Sequence, residues 1–145
     1  MESELERGVQ ARLAAREHRY TAGRRRIIRV LASAGRPLTL PEVMAGDGSL
    51  AQSSTYRNLA LMEDAGVVRR LVHGGDHARF ELAEELTGHH HHLICECCGD
   101  VRDVTFDAAL ERSLHRRFES LAEREGFVAH AHAIDVFGRC PTCAA

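Results

Sequence analysis

The chain contains no tryptophan and no lysine, so all of its basic side-chain charge outside histidine is carried by arginine. No uninterrupted apolar run approaches the roughly 18 residues of a membrane span, which excludes a spanning helix. The opening MESELERGVQ is acidic and helical in character and has neither the basic start nor the apolar core of a signal peptide, which predicts a cytoplasmic protein. An H-E-x-x-H or comparable acid–base arrangement is also missing. A zinc-dependent hydrolase would need three protein ligands, an open position for water and a nearby general base, so its absence argues against an enzyme. At 145 residues the chain suffices for one compact domain or two small ones sharing an interface.

What is present is unevenly distributed. The net charge of -2 conceals residues 1–83 with 13 Arg against 10 acids, and residues 84–145 with 6 Arg against 11 acids. A mildly cationic front half and an acidic rear half fit a polyanion-binding module joined to something else. The five cysteines are closely spaced and lie near histidines, a pattern that in a reducing compartment binds metal more often than it forms disulfides.

In the front half, YTAGRRRIIRVLASAG predicts an amphipathic helix capped by Thr21 and ended by Gly35. PLTLPEVMAGDG follows, with Thr39 and Glu42 in capping-box spacing and Gly46 and Gly48 as stops. SSTYRNLALMEDAG then predicts a third helix with Ser53 or Ser54 as N-cap and Gly66 as terminator. Two short helices joined by a Gly-containing turn make a helix-turn-helix, whose second helix presents its N-terminal residues Ser54, Thr55, Tyr56 and Arg57 to the major groove. VVRRLV and ARFEL around a Gly74-Gly75 turn predict a β-hairpin wing, with Arg69, Arg70 and Arg79 able to approach the phosphate backbone.

The rear half is dominated by HHHHLICECCG. Successive residues of an extended strand point to opposite faces, so His89 with His91 and His90 with His92 become two pairs able to serve two ions. FVAHAHAIDVF predicts a further strand carrying His130 and His132 on one face with Ile134 and Val136. Between them a helix with Leu110, Leu114, Phe118 and Leu121 in an apolar stripe offers Glu111 or His115, one turn apart, as a ligand. Cys95 and Cys98, with Cys140 and Cys143, form two C-x-x-C knuckles suited to a closed, tetrahedral structural Zn2+ site. Cys97 is left over, either as a free thiol or as an alternative to Cys95.

In their order and spacing, YTAGRRRII, SSTYRNL, the wing ending in FEL, HHHHLICECCG and the terminal C-x-x-C resemble the ferric uptake regulator family of metal-sensing repressors, from about Thr21 onward. The resemblance implies an α+β fold with a winged-helix DNA-binding domain over 1–83, a hinge over 84–88 and a metal-binding dimerisation domain over 89–145. It places Tyr56 and Arg57 at the bases and Arg19 in the minor groove. It assigns a hinge sensor to Glu81, His90 and His92, and a further site to His89, His91, Glu111 and His132. Where iron-type members carry a histidine ligand, this chain has Arg36 and Pro37; where zinc-type members carry a cysteine after the wing, it has Ala83. His77, on the strand face of Arg79 and Glu81, is the candidate for the missing sensor ligand, ahead of His73.

The function so implied is a cytoplasmic, homodimeric repressor of metal homeostasis acting on a palindromic double-stranded operator. The structural ion is Zn2+ and the regulatory ion Zn2+ or Fe2+, with Mn2+ or Ni2+ also accommodated. Zinc is preferred because the nitrogen-rich tract holds no second carboxylate. A metal buffer or chaperone without DNA binding, and a peroxide-sensing member of the same family, are the alternatives.

Overall fold

The computed structural model describes residues 3–73 and 77–145. Helix α1 (Glu4–Ala15) starts where the Ser3 hydroxyl accepts from the Glu6 N–H. Helix α2 (Ala22–Ala34) starts where Thr21 Oγ1 accepts from the Arg24 N–H at 3.4 Å, and stops at Gly35, whose φ of 62° is the left-handed conformation that glycine adopts without strain. Strand β1 (Leu38–Thr39), which the sequence does not announce, leads into α3 (Leu40–Gly46). The capping box is reciprocal: Thr39 Oγ1 accepts from the Glu42 N–H at 3.4 Å and Glu42 Oε2 accepts from the Thr39 N–H at 2.8 Å.

Helix α4 (Gln52–Asp64) departs from the expected serine cap. Its N-cap is Ala51, with no side-chain cap bond, and both serines lie inside the first turn, where Ser54 Oγ donates to the Ala51 carbonyl at 3.2 Å. Thr55, Leu59 and Met62 are all buried, and their i, i+4, i+7 spacing sets the helical phase. Strands β2 (Val68–Leu71) and β3 (Arg79–Leu82) pair antiparallel with Arg69 opposite Glu81, and β1 adds to the far edge of β3. The expected Gly74-Gly75 turn lies outside the described residues. One apolar core joins Val9 and Leu13 of α1, Ile27 of α2, Leu59 of α4 and Phe80 of β3, and Leu86 packs against it. Each such side chain contributes about 1.5–3 kcal/mol through removal from water.

Short helix α5 (Glu84–Thr87) connects to a second unit: β4 (His91–Cys95), β5 (Val101–Val104), α6 (Ala108–Arg124), β6 (Asp135–Gly138) and α7 (Pro141–Ala144). The sheet order is β5-β4-β6, with β5 antiparallel and β6 parallel to β4, the return running through α6. The strand expected over FVAHAHAIDVF is shorter: only Asp135–Gly138 pairs with β4, because β4 itself begins at His91 and offers residue 134 just one further bond, from the His92 N–H to the Ile134 carbonyl at 3.2 Å. No residue of α6 is buried, and Leu110, Leu121, Phe127, Val128 and Phe137 are exposed. The architecture is α+β, a winged helix-turn-helix followed by a small α/β unit.

Candidate metal centres and nucleic-acid interface

Three groups of four ligands stand out among the described residues, each with its ligand atoms all within 4.8 Å of one another. The first is Cys95, Cys98, Cys140 and Cys143. Cys95 ends β4, Cys98 follows in the turn, and β6 returns alongside β4 to deliver the CPTC knuckle on α7. The Cys140 N–H donates to Cys95 Sγ at 3.3 Å. Backbone N–H groups of Cys98 and Cys140 favour the Cys95 thiolate and pull its pKa down to about 6. Cys143 is pushed up by its thiol neighbours, Cys97 first. The Cys98 and Cys140 sulfurs are 3.8 Å apart. That is too long for a disulfide and equals the edge of a tetrahedron with zinc–sulfur bonds of about 2.3 Å, which is about 3.8 Å. Cys97 is exposed and outside the group.

The histidine tract behaves as a period-two element across the start of β4. His89 and His91 face α6 and meet Glu111 and His132. His89 Nε2 is 3.2 Å from His132 Nε2 and 3.3 Å from Glu111 Oε2, and His91 Nε2 faces Glu111 Oε1. Phe106 and Phe118 wall the group at ring-centroid distances of 4.5 Å from His91 and 5.2 Å from His132. Burial alone would raise the Glu111 carboxyl, but the hydrogen bond from His91 and the charges of His89, His91 and His132 hold it below the usual carboxylate range. The outer nitrogen of His89 is held by Glu84 of α5. His115 instead pairs with Glu119 at the surface, and His130 is exposed.

His90 and His92 face the other way, toward the wing. Their Nε2 atoms lie 3.1 Å from Glu81 Oε2 and Oε1, respectively. Asp103 Oδ1 stands 3.8 and 3.6 Å from the same two nitrogens and completes the group. Burial raises Glu81, but His92 and then His90 outweigh it and keep the carboxyl ionised. Asp103 is raised by burial and by repulsion from Glu81, and Asp103 Oδ1 is buried with no hydrogen-bond partner among the described residues. An orphaned carboxylate oxygen aimed at two imidazoles and a second carboxylate is a donor set fitted to a cation. The outer nitrogens are also engaged: His90 Nδ1 with the Gly88 carbonyl at 3.0 Å, and His92 Nδ1 with Asp135 Oδ1 at 3.4 Å. Such outer contacts orient imidazoles for ligation through Nε2.

His77 is a correction. It is exposed and outside the group, because it precedes β3 while Glu81 lies near its far end, four residues or about 13 Å along an extended chain. Asp103 is the fourth member of that group, and the sequence carries a signal for it. The turn through Cys95 to Asp100 closes a hairpin whose register sets His92 opposite Asp103. His73 reaches a different partner, Asp135 Oδ2 at 3.7 Å.

On the nucleic-acid side, Ser54, Arg57 and Arg19 are exposed and Tyr56 is 55% exposed at the start of α4. Thr55 is a second correction: it is buried beneath the helix with Leu59 and cannot reach a base. Of the wing arginines expected at phosphates, Arg79 pairs with Glu42 at 3.3 Å and Arg69 with Glu81 at 3.0 Å, leaving Arg70 exposed.

The model of the ferric uptake regulator family matches residues 15–137. The ferric uptake regulation protein of Synechococcus elongatus is 31% identical over 141 residues, covering 93% of this chain and 92% of that one. The peroxide-responsive repressor PerR of Staphylococcus aureus is 29% identical over 148 residues, covering 99% and 93%. Among solved structures, the Helicobacter pylori ferric uptake regulator, described with three functional metal-binding sites, superposes with a TM-score of 0.75 at 20% identity over 99% of this chain and 95% of that one. A zinc-bound manganese uptake regulator superposes with a TM-score of 0.63 at 26% identity over 95% and 99%. With its winged helix joined to a metal-ligand-rich α/β unit, the chain belongs to the ferric uptake regulator family, whose members are metal-responsive, DNA-binding dimeric transcriptional regulators and not enzymes.

Proposed function

We propose that this protein is a cytoplasmic repressor of metal-homeostasis genes in which a divalent ion bound by Glu81, His90, His92 and Asp103 sets the arrangement of two DNA-reading heads for a palindromic operator. The observation that carries this reading is the origin of the four ligands. Glu81 belongs to β3 of the wing, whereas His92 and Asp103 lie on β4 and β5 of the unit that follows α5 and His90 immediately precedes β4; we take 1–83 and 89–145 as the two domains and 84–88 as the hinge between them. An ion held by all four favours one relative orientation over the many a hinge samples. A nearly complete switch needs about 5.5 kcal/mol of differential affinity, within reach of a multidentate site. By linkage, operator DNA tightens metal binding in return.

Zn2+ at the four cysteines serves structure, because four thiolates leave no open position. His89, His91, Glu111 and His132 hold a further ion within the dimerisation domain. The exposed apolar surface of Leu110, Leu121, Phe127 and Val128 supports burial against a second copy of the chain. Tyr56 and Arg57 read bases, and Arg19 enters the minor groove.

Asp103 weakens the case for zinc as effector, since two imidazoles and two carboxylates suit Fe2+ and Mn2+ as well as Zn2+. The same set favours, as a second reading, an iron-loaded, peroxide-responsive protein like the Staphylococcus aureus relative. The test is operator affinity measured across titrations with Zn2+, Fe2+, Mn2+ and Ni2+, with and without peroxide, in parallel with Tyr56→Ala/Arg57→Ala. The proposal expects at least one ion to tighten operator binding, and the double variant to lose DNA while keeping its metal stoichiometry. A protein indifferent to every ion is not a sensor. A wild-type protein that binds metal and no DNA is a buffer.

A further inference from the structure

The sensor ligands have a cationic neighbour with no part in ligation. Arg69 of β2 sits directly across the hairpin from Glu81, and its Nη2 lies 3.0 Å from Glu81 Oε1. Its charge also acts on Asp103, where it opposes the effects that raise that carboxyl. One guanidinium carried by the wing is therefore paired with Glu81, and its charge reaches Asp103 as well. The contact is not a peripheral one: the Glu81 side chain is only 6% exposed, and Arg69 Nε is buried with no hydrogen-bond partner among the described residues. Arginine is charged at any physiological pH and cannot yield by losing a proton.

We propose that Arg69 is the affinity-setting residue of the sensor site, a built-in cation that competes with the effector ion for Glu81. The inference rests on the sensor reading of Glu81, His90, His92 and Asp103. A dication among these ligands shares Glu81 with Arg69 and is repelled by it at close range. The Arg69 side chain is 37% exposed, so it can turn outward to solvent as the ion enters, at the cost of its ion pair. Binding is thereby weakened without any change of ligand, and the concentration at which the repressor responds is raised. A neighbouring charge within about 4–6 Å moves a protonation equilibrium by about one to three decades, and a dication responds in the same direction.

The opposite role is equally well defined. Arg69 would be an orienting partner if its bond to Oε1 served to aim Oε2 at the ion, and loss of such outer contacts lowers metal affinity by about 10- to 100-fold. The sign of the change decides between them. The full-length protein, with its cysteine site loaded with zinc, is titrated with Co2+ against a competing chelator. Visible d–d bands follow each site, and His90→Ala and His91→Ala assign the bands.

For Arg69→Gln the expected result is Co2+ affinity at the sensor site about tenfold tighter or more, with the His91-dependent site unchanged. Arg69→Lys, which keeps the charge, stays closer to the parent than Arg69→Gln does. Equal or weaker binding by Arg69→Gln overturns the proposal, and weakening by about 10- to 100-fold assigns the orienting role instead. If His90→Ala keeps the parent's Co2+ stoichiometry and spectrum, the sensor assignment itself falls and the proposal with it, an outcome separable from any behaviour of Arg69.

Discussion

Removing the CPTC knuckle with Cys140→Ser/Cys143→Ser should unfold the rear unit while leaving the front one intact. The magnitude follows from where the apolar core lies. Among the described residues beyond 83, Ile94, Cys95 and Val101 are the buried hydrophobics, and α6 buries none. At about 1.5–3 kcal/mol each, Ile94 and Val101 together contribute about 3–6 kcal/mol. A four-thiolate zinc site contributes about 10–16 kcal/mol at neutral pH, so within a single chain the metal outweighs the buried side chains. Its ligands also bind the ends of the sheet together, with Cys95 opposite Gly138 and the Cys140 N–H on Cys95 Sγ. Hydrogen–deuterium exchange read by mass spectrometry is the assay, on the double variant and on wild type held in a strong chelator at pH 7. Peptides from β4, β6 and α6 should lose protection, while those from α2 and α4, rooted in the core around Ile27 and Leu59, should keep it. Zinc content should fall by about one ion per chain. Protection of β4 and β6 at wild-type levels in the zinc-depleted variant would refute the reasoning, because some other interaction would then be holding the sheet.

Two further predictions concern the supports of the site and of the core. Asp135→Ala removes the carboxylate 3.4 Å from His92 Nδ1 and should weaken metal binding at the sensor site by about 10- to 100-fold in chelator competition, with the His89–His91 centre unaffected. Equal affinity in the variant would mean that His92 is oriented by packing alone. Gly46→Ala places a Cβ 2.5 Å from Val30 Cγ1 and 3.1 Å from its Cγ2, a stiff branched side chain with little room to turn. It should destabilise the front unit by about 1–3 kcal/mol in thermal denaturation, with metal stoichiometry unchanged. An unshifted Tm would show that α2 and α3 separate without resistance.

Much of this was legible because local rules and the global fold agree. Thr21, Gly35 and the Thr39–Glu42 pair do in the structure what their chemistry announces, since caps depend on a few consecutive residues. The division of four histidines into two pairs followed from strand periodicity, and the cysteine knuckles from their spacing. What escaped depended on non-local pairing. Asp103 is identified by its partner across β4, not by its neighbours, and β1 exists because β3 offers it an edge. Thr55 sits among the N-terminal residues that the second helix of a helix-turn-helix presents to DNA, yet its phase with Leu59 and Met62 carries it inside. His77 shares an alternation with Glu81 in the sequence but stands at a bend before β3 begins, and periodicity gives a face and not a distance.

The outer nitrogen of His89 is held by Glu84, and the tract that begins there places its imidazoles alternately in the two histidine groups. Inserting a single residue between His90 and His91 would exchange the partners of everything upstream, handing His90 to the helix side and His89 to the wing. The two centres are in this sense written in one reading frame. Because the two centres draw on one short stretch of backbone, an ion in either should help to hold residues that the other uses, and the pair should fill with a steeper dose–response than either centre would show alone.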